Sequence, residues 1–148
     1  MRTRAAAILI QNNQIALIER QRPDRHYFSF PGGGVDEGET PEQAVVREVL
    51  EELGLHVRIL RQVAEFWFRG NRQVHFLVEQ TGGEFGTGTG DEFSGKYDQF
   101  RGTYHPLWMP VRDLPLQPVQ PREIAALVVE SLKRGWVKDI VVITQEEN

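Results

Sequence analysis

Two short apolar runs, Ala5 to Ile10 and Ile15 to Arg20, flank the polar tetrapeptide Gln11-Asn12-Asn13-Gln14. Runs of that length joined by residues that tolerate left-handed dihedrals predict a β-hairpin. The following QRPDRHY reads as a loop. Thr40 then offers a helix N-cap, Pro41 suits the first helical position and Gln43 completes a Thr-x-x-Gln capping box, while Gly54 is placed to end the helix in the left-handed conformation. From His56 to Phe68 and from Arg72 to Gln80, β-branched and aromatic residues predict two strands with a turn at Gly70-Asn71.

Thr81 to Gly102 holds seven of the 14 glycines and reads as a long loop. TYHPLWMP reads as a final core strand, and LPLQPVQP leads into a helix from about Pro121 to Arg134, stopped by Gly135. Ile124, Leu127, Val128 and Leu132 give that helix one apolar stripe. The tail DIVVITQEEN fits either an edge strand or a loosely held end. No repeat, linker or low-complexity segment divides the chain, so residues 1–148 are expected to form a single domain.

Composition narrows the chemistry. The chain has 148 residues, 40% hydrophobic and 26% charged, as expected of a soluble globular protein with a core of its own. It contains no Cys, which rules out disulfides, thiolate metal sites and a cysteine nucleophile, and fits a reducing compartment. A net charge of −4 supplies no general field for binding a nucleic-acid polymer. The apolar run near the N-terminus is too short for a signal-peptide core or a membrane span, so a cytoplasmic location is expected.

The segment FPGGGVDEGETPEQAVVREVLEELGL concentrates the candidate chemistry. On a wheel of roughly 100° per residue, Glu51 and Glu52 fall within about 60° of Glu48, and Val46, Val49, Leu50 and Leu53 fall on the opposite side. The ordinary reading is a solvated acidic face, since like charges at this spacing cost only about 0.2–0.5 kcal/mol per pair on an exposed helix. In a cleft, two carboxylates about 4 Å apart repel by roughly 4 kcal/mol, and a divalent cation is the natural remedy. Mg²⁺ takes oxygen ligands and keeps several waters, leaving room for a phosphate. PGGG just before the helix lets backbone approach a ligand, and Arg47 is available to hold a carboxylate or phosphate.

Gly33, Glu39, Arg47, Glu48, Val49, Glu51, Glu52, Gly54 and Leu55 match every fixed position of the Nudix box, G-x5-E-x7-R-E-U-x-E-E-x-G-U, where U is a bulky apolar residue. The chain therefore resembles the Nudix (MutT-like) hydrolases. The resemblance implies an α/β fold with a mixed β-sheet sandwiched between helices. It also implies a Mg²⁺- or Mn²⁺-dependent hydrolase acting on a nucleoside diphosphate linked to another moiety, a small-molecule nucleotide derivative. By position, Glu51 and Glu52 would ligate the metal with the Gly32 carbonyl, and Glu48 would be a further ligand or the base. Arg47 and Glu39 would hold these carboxylates. Dimers are common in that family, so a homodimer is an expected assembly.

Many members of the family place an acidic residue shortly before the Trp of a late strand. Here that stretch is His105-Pro106-Leu107-Trp108, which leaves Glu48, Asp91, Glu92 and His105 as alternative bases. Aromatics would recognise the base: Tyr27, Phe28, Phe66, Trp67, Phe68, Tyr97 or Phe100, with one side of the Trp67-Phe68 pair facing the core. Arg20, Arg22 and Arg25 lie near enough in sequence to meet phosphate. The chain lacks the Pro, Tyr and SQPWPFPxS signatures associated with ADP-ribose, diadenosine polyphosphate and NADH hydrolysis. A non-catalytic nucleotide sensor is the competing reading, and the intact REVLEE argues against it.

Overall fold

A computed structural model of the chain describes residues 2–89 and 102–145. Asn12 and Asn13 both adopt positive φ, 52° and 62°, and close the expected hairpin between β1 (Thr3–Gln11) and β2 (Gln14–Arg22). Asparagine carries such dihedrals more easily than most residues. The stretch expected as a loop is instead a second hairpin. β2 runs on to Arg22, β3 (Arg25–Ser29) pairs with it antiparallel, and only Pro23 and Asp24 turn. β2 also pairs along its other edge with β7 (Thr103–Pro110). Two ladders hold its polar end extended, whatever the side chains prefer.

β4 (Gly32–Gly34) lies antiparallel to β1, and α1 (Pro41–Leu53) follows. The Thr40 hydroxyl accepts from the Gln43 N–H and the Gln43 side chain accepts from the Thr40 N–H, as the capping box predicts. Gly54, at φ 78°, ends the helix and donates its N–H to the Leu50 carbonyl. β5 (Leu55–Phe68) and β6 (Asn71–Gly83) form the long hairpin. Its turn is carried by Arg69 and Gly70, both with positive φ, one residue earlier than expected.

After β7 come a 3-10 turn (Val111–Leu116), β8 (Val119–Gln120), α2 (Arg122–Arg134) and β9 (Val141–Gln145). TYHPLWMP is thus not the final strand. Within the tail, Val141–Gln145 form an edge strand parallel to β5.

Strand order is β8-β3-β2-β1-β6-β5-β9, with β4 on β1 and β7 on β2; β1–β6, β3–β8 and β5–β9 are parallel, so the sheet is mixed. Period-two alternation divides its side chains between two cores. Ala5, Ala7, Leu9, Val74 and Phe76 meet Ala44, Val45, Val49 and Leu53 of α1. Ala6, Ile8, Phe28 and Phe66 meet Ile124, Ala125 and Val128 of α2. The result is the expected α/β/α sandwich. On α2 the buried stripe includes Ala125 and Ser131, while Leu132 is exposed. Among the described residues no helix is long and apolar enough to cross a membrane.

Candidate active site

The buried residues of α1 are Ala44, Val45, Val49, Glu52 and Leu53, while Leu50 is exposed. The wheel placed the carboxylates opposite the core. The structure instead sets Glu52, only 6% exposed, within the arc that packs on the sheet. β4 explains this, because its glycines leave room where side chains would otherwise fill the gap. A Cβ on Gly33 would sit 2.5 Å from the Glu48 carboxyl carbon, and one on Gly32 would sit 2.2 Å from the Ala5 carbonyl oxygen. Glu52 Oε1 accepts the Gly32 N–H at 2.6 Å, which gives the buried carboxylate a backbone donor.

Arg47 organises the outer side. Its Nε and Nη2 donate to the two oxygens of Glu39 at 2.8 and 3.0 Å, Nη1 donates to Glu48 Oε1 at 2.8 Å and to Glu51 Oε2 at 3.2 Å, and Nη2 reaches the Gly34 carbonyl at 3.1 Å. Only a guanidinium fork serves so many acceptors in one plane. Arg47 holds Glu39 at a pKa of about 2, helped by the Asp36 N–H. In turn, Glu39 raises Arg47 further above its already high value. The i, i+3, i+4 repulsion is thus met by a fixed cation before any ligand arrives.

The donor set suits a hard divalent cation: three helix carboxylates around a backbone that a Cβ would obstruct. As they stand, Glu48 and Glu51 turn an oxygen to Arg47 and Glu52 turns one to Gly32. Among the described residues no three such side chains are already gathered as a ligand cluster. Residues 84–89 close over the end of the helix: the Gly86 N–H donates to the Leu53 carbonyl, and a Cβ on Gly88 would strike the Glu51 carbonyl at 2.4 Å.

At Gly32 the site opens into a cleft of about 500 Å³. Arg4, Arg20, Arg25, Tyr27, Phe66, Phe68, Gln73, His75 and Gln120 are among its walls, and among the described residues no acidic one is. Arg20 stands 3.6 Å over the Tyr104 ring and Arg25 stands 4.2 Å over Tyr27. Those two arginines sit on strands β2 and β3, and Tyr27 is half-buried between them.

Other residues singled out in the sequence lie elsewhere. Phe28 is buried in the α2-side core, its ring edge-on to His26 at 5.2 Å, and does not line the cleft. Trp67 faces away from Phe66 and Phe68 and donates its indole N–H to Glu65. Arg22 ends β2 outside the cleft walls. His105 is exposed on β7, opposite Glu19 and away from the cleft. Asp91, Glu92, Tyr97 and Phe100 lie outside the described residues. The sequence reading passed over Arg4, Gln73, His75 and Gln120; the one local signal was a histidine interrupting the apolar run Val74-His75-Phe76-Leu77-Val78.

The NUDIX domain family matches residues 1–128, most of the chain. The protein belongs to the Nudix family. Nudix hydrolases generally use divalent metals. Relatives include RNA pyrophosphohydrolases of Psychromonas ingrahamii, 45% identical over 65 residues, and Vibrio atlanticus, 45% over 64. Each alignment covers 42% of this chain and only 35% or 37% of the relative's length. An ADP-ribose pyrophosphatase from Streptococcus suis superposes with a TM-score of 0.67 at 25% identity, covering 97% of this Nudix chain and 98% of that one. The E. coli ORF135 protein shares the fold, with a TM-score of 0.64 at 23% identity over 94% and 95% of the two chains.

Proposed function

We propose that this Nudix protein is a divalent-metal-dependent pyrophosphohydrolase that cleaves a small nucleotide derivative in the cytoplasm. The observation that carries the reading is the junction of α1 and β4, where Glu48, Glu51 and Glu52 stand beside Gly32 and Gly33 under the clamp of Arg47. Glu48, Glu51, Glu52 and the Gly32 carbonyl would hold Mg²⁺ or Mn²⁺, which supplies Lewis acidity and charge neutralisation at the pyrophosphate.

The chain's own groups do the positioning. Arg47, braced by Glu39, fixes the outer carboxylates so that their orientation is set before substrate binds. Arg4, Arg20 and Arg25 bring positive charge to a cleft that has no acidic wall among the described residues, in a protein of net charge −4, and so favour a phosphorylated ligand. Tyr27 and Phe68 add aromatic surface for the rest of it.

A turnover panel tests the reading: nucleoside triphosphates, ADP-ribose, dinucleoside polyphosphates, nucleotide sugars and a 5′-triphosphorylated RNA, each with Mg²⁺, Mn²⁺ or EDTA. Metal-dependent release of a nucleotide or pyrophosphate product from at least one is the expected outcome. Binding without turnover across the panel would identify a sensor instead. Comparing pH–rate profiles of Glu48→Gln, Asp91→Asn, Glu92→Gln and His105→Gln assigns the group that accepts the water's proton.

A further inference from the structure

His75 sits in the first half of β6 with no exposed surface, and neither ring nitrogen has a hydrogen-bond partner among the described residues. Its ring meets Phe30 edge-on at 5.6 Å and forms part of the cleft lining. Leaving both nitrogens unpaired is costly, because a buried imidazole gives up its hydrogen bonds to water and receives none in return. Burial holds the ring neutral, its pKa pushed down to about 3. A neutral ring offers one donor and one acceptor.

The sheet register gives this residue an address. Ala6 pairs with Gly32 on β4 and with His75 on β6, and His75 pairs with Ala64 on β5. Gly32, Ala6, His75 and Ala64 therefore form one row across four strands. The residues on either side of the imidazole are alanines, and Ala6 also lines the cleft. Gly32, which holds Glu52, lies two strand spacings away, about 10 Å. Two residue pairs along the strands, and so on the same face, Gln73 stands opposite Arg4, and both line the same cleft.

We infer that His75 is a specificity-determining residue, whose ring nitrogens, closed to water in the free chain, are uncovered when a nucleobase enters the cleft beside the Gly32–Ala6–His75 row and hydrogen-bond its edge. The inference rests on the pyrophosphohydrolase reading, which puts the phosphates at the Gly32 end. A base fits the remaining walls better than a bare sugar does, because Tyr27 and Phe68, both half-buried, offer faces for a planar ring. Gln73 and Gln120 offer amides for its edge. A site that leaves polar groups unpaired without its ligand discriminates strongly against a ligand that cannot pair them.

The test compares kcat/KM on ATP, GTP, CTP and UTP, which share a triphosphate and differ in the base, for wild type, His75→Leu and His75→Asn. His75→Leu should cut kcat/KM for the favoured base about 10- to 100-fold, mainly through KM. The least favoured base should change by less than about threefold, so that the preference collapses, and His75→Asn should restore part of it. A parallel fall on all four, or an unchanged preference, overturns the inference. Independently of turnover, the ¹⁵N resonances of the His75 ring in wild-type protein are followed while ADP, GDP, CDP or UDP is added without metal. A saturable shift with one or two of them supports base reading, and no shift with any sinks it. Absence of turnover on every compound of the wider panel overturns the hydrolase reading instead, and the ¹⁵N titration still decides the role of His75.

Discussion

Glu52 carries an ionisable group into a space almost closed to water, with the Gly32 N–H as donor to one of its oxygens. Glu52→Gln keeps the shape and an acceptor for that N–H but removes the charge. Turnover should fall roughly 100-fold or more, the scale of losing one group that stabilises transition-state charge. The thermal midpoint should stay within a few degrees of wild type. Wild-type turnover at limiting Mg²⁺ would remove Glu52 from the metal site.

The adjacent glycines separate two effects. A methyl on Gly33 meets the tip of the Glu48 side chain, which can swing away, whereas a methyl on Gly32 meets the Ala5 backbone, which cannot. Gly33→Ala should therefore lose activity by an order of magnitude or more with little loss of stability, and Gly32→Ala should chiefly lower the denaturation midpoint. Paired urea melts and rate assays on the two variants check this, and equal stability losses would contradict it.

At the scale of the element, α1 shows what a local pattern conveys. Thr40, Pro41, Gln43 and Gly54 act through atoms only a few residues apart, so the start and end of the helix were readable from the chain. Thr40→Ala, which removes a cap about two to three turns from Glu48, Glu51 and Glu52 and leaves the Glu39 side chain in place, should cost about 1 kcal/mol in urea denaturation and change kcat little. The direction in which the helix faces was not readable. Leu50 was expected inside and is exposed, while Glu52 was expected outside and is buried, because the sheet beneath offers a glycine strand at that point. β3 was missed for a related reason: its stretch is polar, and it is held by pairing with β2, a partner that composition does not name.

For the whole molecule, His75 and Glu39 are among the described groups that tie stability to pH. His75 has a folded pKa of about 3 against an ordinary 6.5, so its contribution is complete above 6.5 and is lost as pH falls towards 3. Glu39, held at about 2 by Arg47 against an ordinary 4.5, acts in a lower window, with stability lost as pH falls from 4.5 towards 2. The other three histidines, His26, His56 and His105, are exposed. Between pH 6.5 and 4.5 the unfolding free energy should therefore fall by up to about 1.4 kcal/mol per pH unit, one proton's worth, mostly through His75. Denaturation of His75→Leu across this range should show a flatter profile. A slope equal to wild type would mean that His75 is not the buried neutral group described.

By itself the sequence determined the nine fixed box positions, the helix caps, the asparagine turn and the alternation that makes strands, since each depends on neighbours along the chain. It also supplied the family, because the box is a local spacing of side chains. Only the tertiary structure decided that Glu52 turns inward, that Arg47 serves Glu39, Glu48 and Glu51 together, and that Gly32, Ala6, His75 and Ala64 share a row. These last facts depend on which strand lies beside which, and residues 6, 32, 64 and 75 become neighbours only when backbone hydrogen bonds join four separate strands.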